Sequence, residues 1–225
     1  MRVLLAASLL LLTLRRLSCF RRASRQRHAP LDALLVLGGC SFREDLAAKL
    51  LAGSLKAADL LSADQAAAYG AALQSRPVLV SSAHGGARQR FLATGVASFL
   101  LHVDETAVDT VTNFTTAYEL YQTGKLGAES GGLRHVGVLT SAAHAPRASL
   151  VAFLTFGSCG VATTVLSLPD DPANPALVAG ETRLRRLRDG MRSLCWALTG
   201  LSGGQLGRLV HPERFHHLDA QRKRR

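Results

Sequence analysis

Apolar positions between residues 32 and 168 recur in two ways: short continuous runs that match buried strands, and stretches with an apolar residue every third or fourth position that match amphipathic helices. The runs predict strands near 33–37, 77–81, 98–103, 134–140 and 161–167. The helical stretches fall near 43–60, 63–74, 110–123 and 146–156, and Ala57 to Leu73 reads as an extra helix before the second strand. Strand and helix alternating this way are the βαβ signature, and most gaps supply the dozen or so residues that a parallel crossover needs. The expected architecture is α/β: a three-layer, Rossmann-like open sheet of about five strands, mainly parallel, with helices on both faces. Asp170 to Pro175 marks a loop, because its two prolines cannot continue a helix. A last amphipathic helix follows near 181–198, with Leu184, Leu187, Met191, Leu194 and Trp196 among its apolar residues and arginines on its other side.

Open parallel sheets bind ligands where strands run out into loops at their carboxyl ends. Three segments have that character: Leu34 to Cys40, Val108 to Phe114 and Val136 to Arg147.

With 225 residues and 48% hydrophobic content, the chain fits one well-buried domain plus short appendages. Its net charge of +11 is concentrated at the two ends. Residues 1–30 hold seven arginines and no acid, the tail Arg222 to Arg225 adds four basic residues, and the 16 basic and 16 acidic residues elsewhere cancel. The globular part is neutral, which argues against nucleic acid as a partner, although Arg183, Arg185, Arg186, Arg188 and Arg192 form a local basic helix face.

The organisation expected is a targeting segment or short anchor at 1–30, an α/β domain at 31–200 that includes the closing helix, and a polar basic tail at 201–225. The apolar run Val3 to Thr13 stops short of the roughly 20 residues needed to span a bilayer. An acid-free stretch bearing Arg and Ser fits an organellar transit peptide, and an apolar core after Arg2 fits a secretory signal or short anchor; both readings stay open. The first places a eukaryotic protein in a plastid or mitochondrion. The second makes it membrane-associated or exported, with peripheral membrane contact.

Cys19, Cys40, Cys159 and Cys195 show neither C-x-x-C pairing nor metal spacing with histidine, so no metal site is expected. Cys40 fits a small residue at a tight turn better than a reactive thiol. There is no G-x-G-x-x-G, no G-x-x-x-x-G-K-[ST] and no G-x-S-x-G, which disfavours standard dinucleotide, P-loop and α/β-hydrolase sites.

Four segments, in order, carry a resemblance: Val36-Leu-Gly-Gly39, Val80-Ser-Ser-Ala-His-Gly-Gly86, Asp109-Thr-Val-Thr-Asn113 and Thr140-Ser-Ala-Ala-His-Ala-Pro-Arg-Ala148. They resemble the V-L-G-G, S-G-G, N-T-x-x-N and T-S-x-x-H-x-x-R-A motifs of the YdcF/SanA/ElyC-like family, a conserved domain of unassigned chemistry. The resemblance covers residues 32–168, and Leu187 to Trp196 is similar to the closing helix of a subgroup common in photosynthetic lineages. It implies a Rossmann-like fold, a pocket for an anionic or nucleotide-like molecule and a loose link to envelope biogenesis. Two departures stand out: the S-G-G turn becomes Ser81-Ser82-Ala83 with His84-Gly85-Gly86 displaced, and the Glu-Ala pair that usually opens the next helix has no counterpart near Ala87 to Phe91.

Among the candidate site residues, His144 and Arg147 fall at a helix start, with Pro146 suited to the first turn, where free N–H groups and the helix dipole favour an anion. A guanidinium there grips phosphate or carboxylate. The alternative is that His144 caps the helix and Arg147 pairs with an acid such as Asp109. Thr140 and Ser141 are placed to donate hydroxyl bonds to the same ligand, or Ser141 to cap. Asp109 reads equally as N-cap and ligand contact; Thr110 and Asn113 follow on its helix, Asn113 one turn on. Gly38 and Gly39 allow a tight turn and a close approach by a ligand, and Ser81 ends the second strand. His84 is a candidate for the rim, whereas His211, His216 and His217 read as solvated.

Three function classes follow: a protein binding an anionic or nucleotide-like molecule, with no cofactor specified; a hydrolase or transferase acting on a phosphate-bearing substrate, with His144 as acid or base; and a fold kept for partner contacts through its Arg-rich last helix.

Overall fold

A computed structural model describes residues 2–82, 86–124 and 132–201. In chain order the elements are α1 (Arg2–Arg25), β1 (Ala33–Leu37), α2 (Ser41–Leu51), α3 (Ala57–Leu60), α4 (Ala63–Tyr69), β2 (Val78–Ser81), α5 (Ala87–Ala93), β3 (Leu101–Asp104), α6 (Thr110–Gln122), β4 (His135–Ser141), α7 (Ala145–Thr155), β5 (Ala162–Leu168), α8 (Pro175–Ala179) and α9 (Arg183–Thr199). The strands form one sheet in the order β3-β2-β1-β4-β5, and every pairing is parallel. This is the three-layer Rossmann-like architecture that the alternating pattern predicts.

The central strand explains both layers. All five residues of β1 are buried, and the two-residue period sends Leu34 and Val36 to one face and Ala33, Leu35 and Leu37 to the other. Leu34 and Val36 join Ala47, Ala48 and Leu51 of α2 and Phe91 of α5. On the opposite face the core holds Val111, Phe114, Ala117 and Tyr121 of α6 with Val151 and Ala152 of α7. Each fully buried leucine or phenylalanine contributes about 2 kcal/mol by leaving water.

The chain leaves β1 for β2 on one side and reaches β4 on the other, so the topological switch point lies between the carboxyl ends of β1 and β4. The loops after both strands therefore splay apart there and open a crevice.

Several elements depart from the sequence pattern. The helix expected over 43–60 stops at Leu51, because Gly53 turns the chain at φ +76° before α3 begins. Near 63–74 the helical stretch ends as α4 at Tyr69 and a single tighter turn. Helix α5 forms without the Glu-Ala opening, entered through Gly86 at φ +87°. In the expected loop, Pro175 starts α8, since a proline at the first helical position loses no hydrogen bond.

Residues 2–25 form one helix, and its second half lies along the body. Phe20 stacks on Phe153 of α7 at 4.8 Å, Arg16 donates to the Ser158 carbonyl at 2.9 Å, and Ala23 is buried. Among the described residues no helix is long and apolar enough to cross a membrane.

Helix α9 packs in an unexpected orientation. Asp189, Gly190, Ser193, Trp196 and Ala197 are its buried residues, while Leu184, Leu187, Met191 and Leu194 are exposed. Gly190 lets α9 approach Leu150 of α7 closely, Trp196 meets Tyr118 of α6 edge-on, and Asp189 reaches Arg147 of α7. The basic tail from 202 on, with His211, His216 and His217, lies outside the described residues, as does His84.

Candidate functional site

At the carboxyl ends of the strands the loops enclose a cleft of about 1460 Å³. Its walls come from Leu37 to Arg43 after β1, Ser82 after β2, Glu105 to Asn113 between β3 and α6, Ser141 to Arg147 after β4, Pro169 to Asp171 after β5, and Glu181 and Arg185 around the start of α9.

The β1–α2 wall is built on two glycines. A Cβ on Gly38 would lie 2.6 Å from the Ser81 carbonyl oxygen and 2.9 Å from that of Ser82, so only glycine lets this turn sit against the end of β2. Gly39 takes φ +88°, and its N–H donates to Glu44 Oε1 at 3.0 Å. Cys40 then precedes α2 as its N-cap without a side-chain capping bond, which leaves the first-turn N–H groups of α2 without a side-chain acceptor at the cap.

Arg43, the third residue of α2, folds back into this wall. It is 9% exposed, donates from Nη2 to the Gly38 carbonyl, and among the described residues has no hydrogen-bond partner for its buried Nε. Among the described residues no carboxylate lies within 4.0 Å of it: the neighbouring Glu44 is taken by Arg90 of α5 and the Gly39 N–H. Burial pulls the Arg43 pKa down from its usual value, opposed by Cys40, Glu44 and Glu181. A buried cation without an ion-pair partner is costly, and this one borders open space.

Across the switch point, Arg147 is the third residue of α7 and has the opposite circumstances. Its Nη1 donates to Asp189 Oδ2 at 2.9 Å and its Nη2 to Glu181 Oε1 at 2.6 Å, so it pairs with two acids, neither of them Asp109. Asp189 is 1% exposed at its side chain and is also met by Arg188 and Arg192. His144 stands at the N-cap of α7 but makes no capping bond. Its Nδ1 lies 2.9 Å from both Glu181 Oε1 and Arg147 Nη2. Burial lowers the His144 pKa, with Arg147 and Arg43 adding to the effect against the opposing Glu181, so the ring is neutral near pH 7. Burial raises the pKa of Glu181, but its bonds to His144 and Arg147 outweigh that and hold it at about 2.

The third wall is a loop locked onto a helix start. Asp109 is the N-cap of α6: it accepts the Thr112 N–H at 2.9 Å in a reciprocal capping box, and its Oδ2 pairs with Arg192 at 2.8 Å. Burial pushes its carboxyl up, yet Arg192 and the Thr112 N–H leave it below the usual carboxylate range. Ser82 adopts φ +57°, the one positive φ outside glycine among the described residues. Its Oγ is held between the Ala107 carbonyl at 3.0 Å and Asn113 Oδ1, a strained conformation fixed by its neighbours.

Gly38, Gly39, Asp109, Thr110, Asn113, Ser141, His144 and Arg147 therefore line one cleft. Ser81 and Thr140 do not. Both are fully buried: Ser81 Oγ turns to Asp104 Oδ2 at 3.2 Å and Asn113 Oδ1 at 3.4 Å, while Thr140 Oγ1 has no hydrogen-bond partner among the described residues. Strand alternation explains the difference, since Ser82 and Ser141, one position further on, are the residues that reach the cleft. Sequence reasoning missed Arg43, Ser82, Glu181 and Asp189. Arg43 had a readable signal: it follows β1 as Arg147 follows β4, three residues into the next helix. Glu181 lies outside the resembling segments and had none; Asp189 lies within the closing-helix segment Leu187 to Trp196, but nothing in the sequence marked it as a partner of Arg147.

Among the described residues no group of three or more His, Cys, Asp or Glu is arranged to hold a metal ion. No protein-family model, curated protein or solved structure matches the chain.

Proposed function

We propose that this chain binds a small molecule bearing a phosphate or carboxylate group in the cleft between the ends of β1 and β4, with Arg43 as the anion's anchor. One observation carries the reading: Arg43 is a buried guanidinium bordering the cleft, hydrogen-bonded to a single carbonyl and lacking an acidic partner among the described residues. An anion seated there would supply the missing counter-charge and meet the first-turn N–H groups of α2. The cleft volume exceeds a bare phosphate and suits a nucleotide-sized molecule. Arg147, already held by Glu181 and Asp189, positions His144 and the α7 start and is a poorer anchor. The YdcF/SanA/ElyC resemblance points the same way, toward an anionic or nucleotide-like ligand, and loosely toward envelope biogenesis.

The test is thermal protection by inorganic phosphate and by adenosine 5′-monophosphate, measured on the wild-type chain and on Arg43→Met. Wild type should gain melting temperature with at least one of them, and the variant should bind it roughly tenfold or more weakly. Equal protection of both proteins overturns the reading.

A second reading, a hydrolase or transferase acting on a phosphate-bearing substrate, draws on the Glu181–His144 contact, since a carboxylate that orients a neutral imidazole prepares it for proton transfer. It requires turnover of a phosphate ester that falls roughly a hundredfold in His144→Gln. A wild-type chain inactive on phosphomonoesters, phosphodiesters and nucleotide-activated donors, with and without divalent metal, leaves only the binding function.

A further inference from the structure

The outer side of α9 is built for contact. Leu184, Leu187, Met191, Leu194 and Leu198 repeat at alternating intervals of three and four, which places them on one stripe of the helix, and every one is between 40 and 74% exposed. Leu201, just past the helix, extends the series at 38%. These side chains are not what holds α9 to the body, because the helix docks through Asp189, Gly190, Ser193, Trp196 and Ala197.

The apolar exposure continues beyond α9. Leu150 of α7 abuts Gly190 and Phe153 of α7 stacks on Phe20 of α1, and both remain more than a third exposed. On α1 itself Leu14 and Leu17 are half exposed. Contiguous apolar surface of this extent, reaching across three helices, marks an interaction face.

The charges around it select the partner. Arg183, Arg185 and Arg186 crowd the first turn of α9, the end where the helix dipole disfavours cations, so they are not there to stabilise the helix. Arg183, Arg185 and Arg186 form no ion pair with any described residue. Residues 1–30 on the α1 side carry seven arginines and no acid, and the tail that follows α9 ends in Arg222-Lys-Arg-Arg225. A second copy laid against this stripe in parallel would set arginine beside arginine. A bilayer rich in anionic lipid neutralises all of them, accepts the leucines among its acyl chains and lets the arginines snorkel to the headgroups.

We infer that the α1–α7–α9 side of the molecule is a peripheral docking surface for an anionic lipid membrane, with the α9 stripe as its inserted edge. The leucine stripe does not line the cleft, and only Arg185 borders both, so the membrane contact does not depend on what the cleft binds.

The test is vesicle co-sedimentation of the full chain on phosphatidylcholine alone and with roughly one third phosphatidylglycerol. The wild type should partition onto the anionic vesicles roughly tenfold or more strongly than onto the neutral ones, and less so as salt rises. The combined substitution Leu187→Glu, Met191→Glu and Leu194→Glu, placed on exposed positions, should keep the melting temperature and lose roughly tenfold or more of that binding. Charge reversal by Arg183→Glu and Arg186→Glu, neither of which pairs with an acid among the described residues, leaves the apolar stripe untouched and should abolish the preference for phosphatidylglycerol. The inference falls if both variants bind as the wild type does, which would assign the membrane contact to α1 alone. It also falls if the wild type ignores lipid charge, or if it is a dimer that the leucine substitutions dissociate while vesicle binding stays unchanged.

Discussion

The β1–α2 and β4–α7 junctions face each other across the switch point, and each places an arginine at the third position of its helix. At β4–α7 the arginine is consumed by the protein: Glu181, Asp189 and His144 all meet Arg147. At β1–α2 it is left over, since among the described residues Arg43 has a carbonyl and no acid. The same residue at the same offset thus serves as a structural tie on one side and an open electrostatic socket on the other. What separates them is where α9 and the turn before it land, because Asp189 and Glu181 reach one junction only.

The largest effect expected is on stability from Arg147→Ala. Removing it leaves Glu181 and the buried Asp189 short of their main cation, which costs about 3 kcal/mol and lowers the melting temperature by roughly 6 to 12 °C in a chain of this size. A melting temperature within a degree or two of wild type would mean that Arg188 and Arg192 suffice for Asp189, and the contrast would collapse.

Gly38→Ala comes next. The new methyl meets backbone oxygens of Ser81 and Ser82 that cannot swing aside, so about 2 kcal/mol should be lost in denaturant titration as the turn moves off β2. A neutral result would show that the β1–α2 wall is not pinned there.

Arg43→Met should be nearly silent in the absence of ligand, within about 1 kcal/mol either way, because an apolar side chain of similar length removes the desolvation cost along with one hydrogen bond. A loss as large as that of Arg147→Ala would make Arg43 a structural tie as well.

The smallest effect concerns acid. Glu181 is held at about 2 in the fold, below its usual 4.5, so its contribution is present above about pH 4.5 and fades as pH falls toward 2. His144, lowered from its ordinary 6.5, acts in the same direction: below about pH 6.5 the unfolded chain takes up the proton more readily, and stability drops. Denaturation at a series of pH values should give a flatter acid limb for Glu181→Gln than for wild type, and one much less altered for Arg43→Met, whose effect on His144 is the smallest of those acting on it. Equal limbs for all three would remove the electrostatic distinction between the junctions.

Much of the architecture was legible along the chain. The pattern puts β1 at 33–37, where it lies, and β4 and β5 one residue early; the buried β1 and β4 declare themselves by runs of apolar residues, while the half-buried edge strand β5 still carries Val165, Leu166 and Leu168. Ends set by turn chemistry were harder, as Gly53 cutting one expected helix and Pro175 opening another both show. The cleft was legible as far as strand ends predict it: Gly38, Gly39, Asn113, Ser141 and His144 do meet. A shift of one position hid Ser82 behind Ser81, since alternate strand residues face opposite ways.

The sequence by itself determined the strands, the parallel order's raw material of crossover lengths, and the presence of polar residues where β1 and β4 end, because each follows from local periodicity and loop chemistry. Tertiary structure alone decided which of two similarly placed arginines is free and which side of α9 is buried. Both outcomes rest on contacts between segments far apart in the chain: Arg147 with Asp189 across 42 positions, and Gly190 against Leu150. The amphipathic pattern of α9 favoured burying its leucines, but close packing at a glycine and a buried ion pair outweighed it and left the leucines outside.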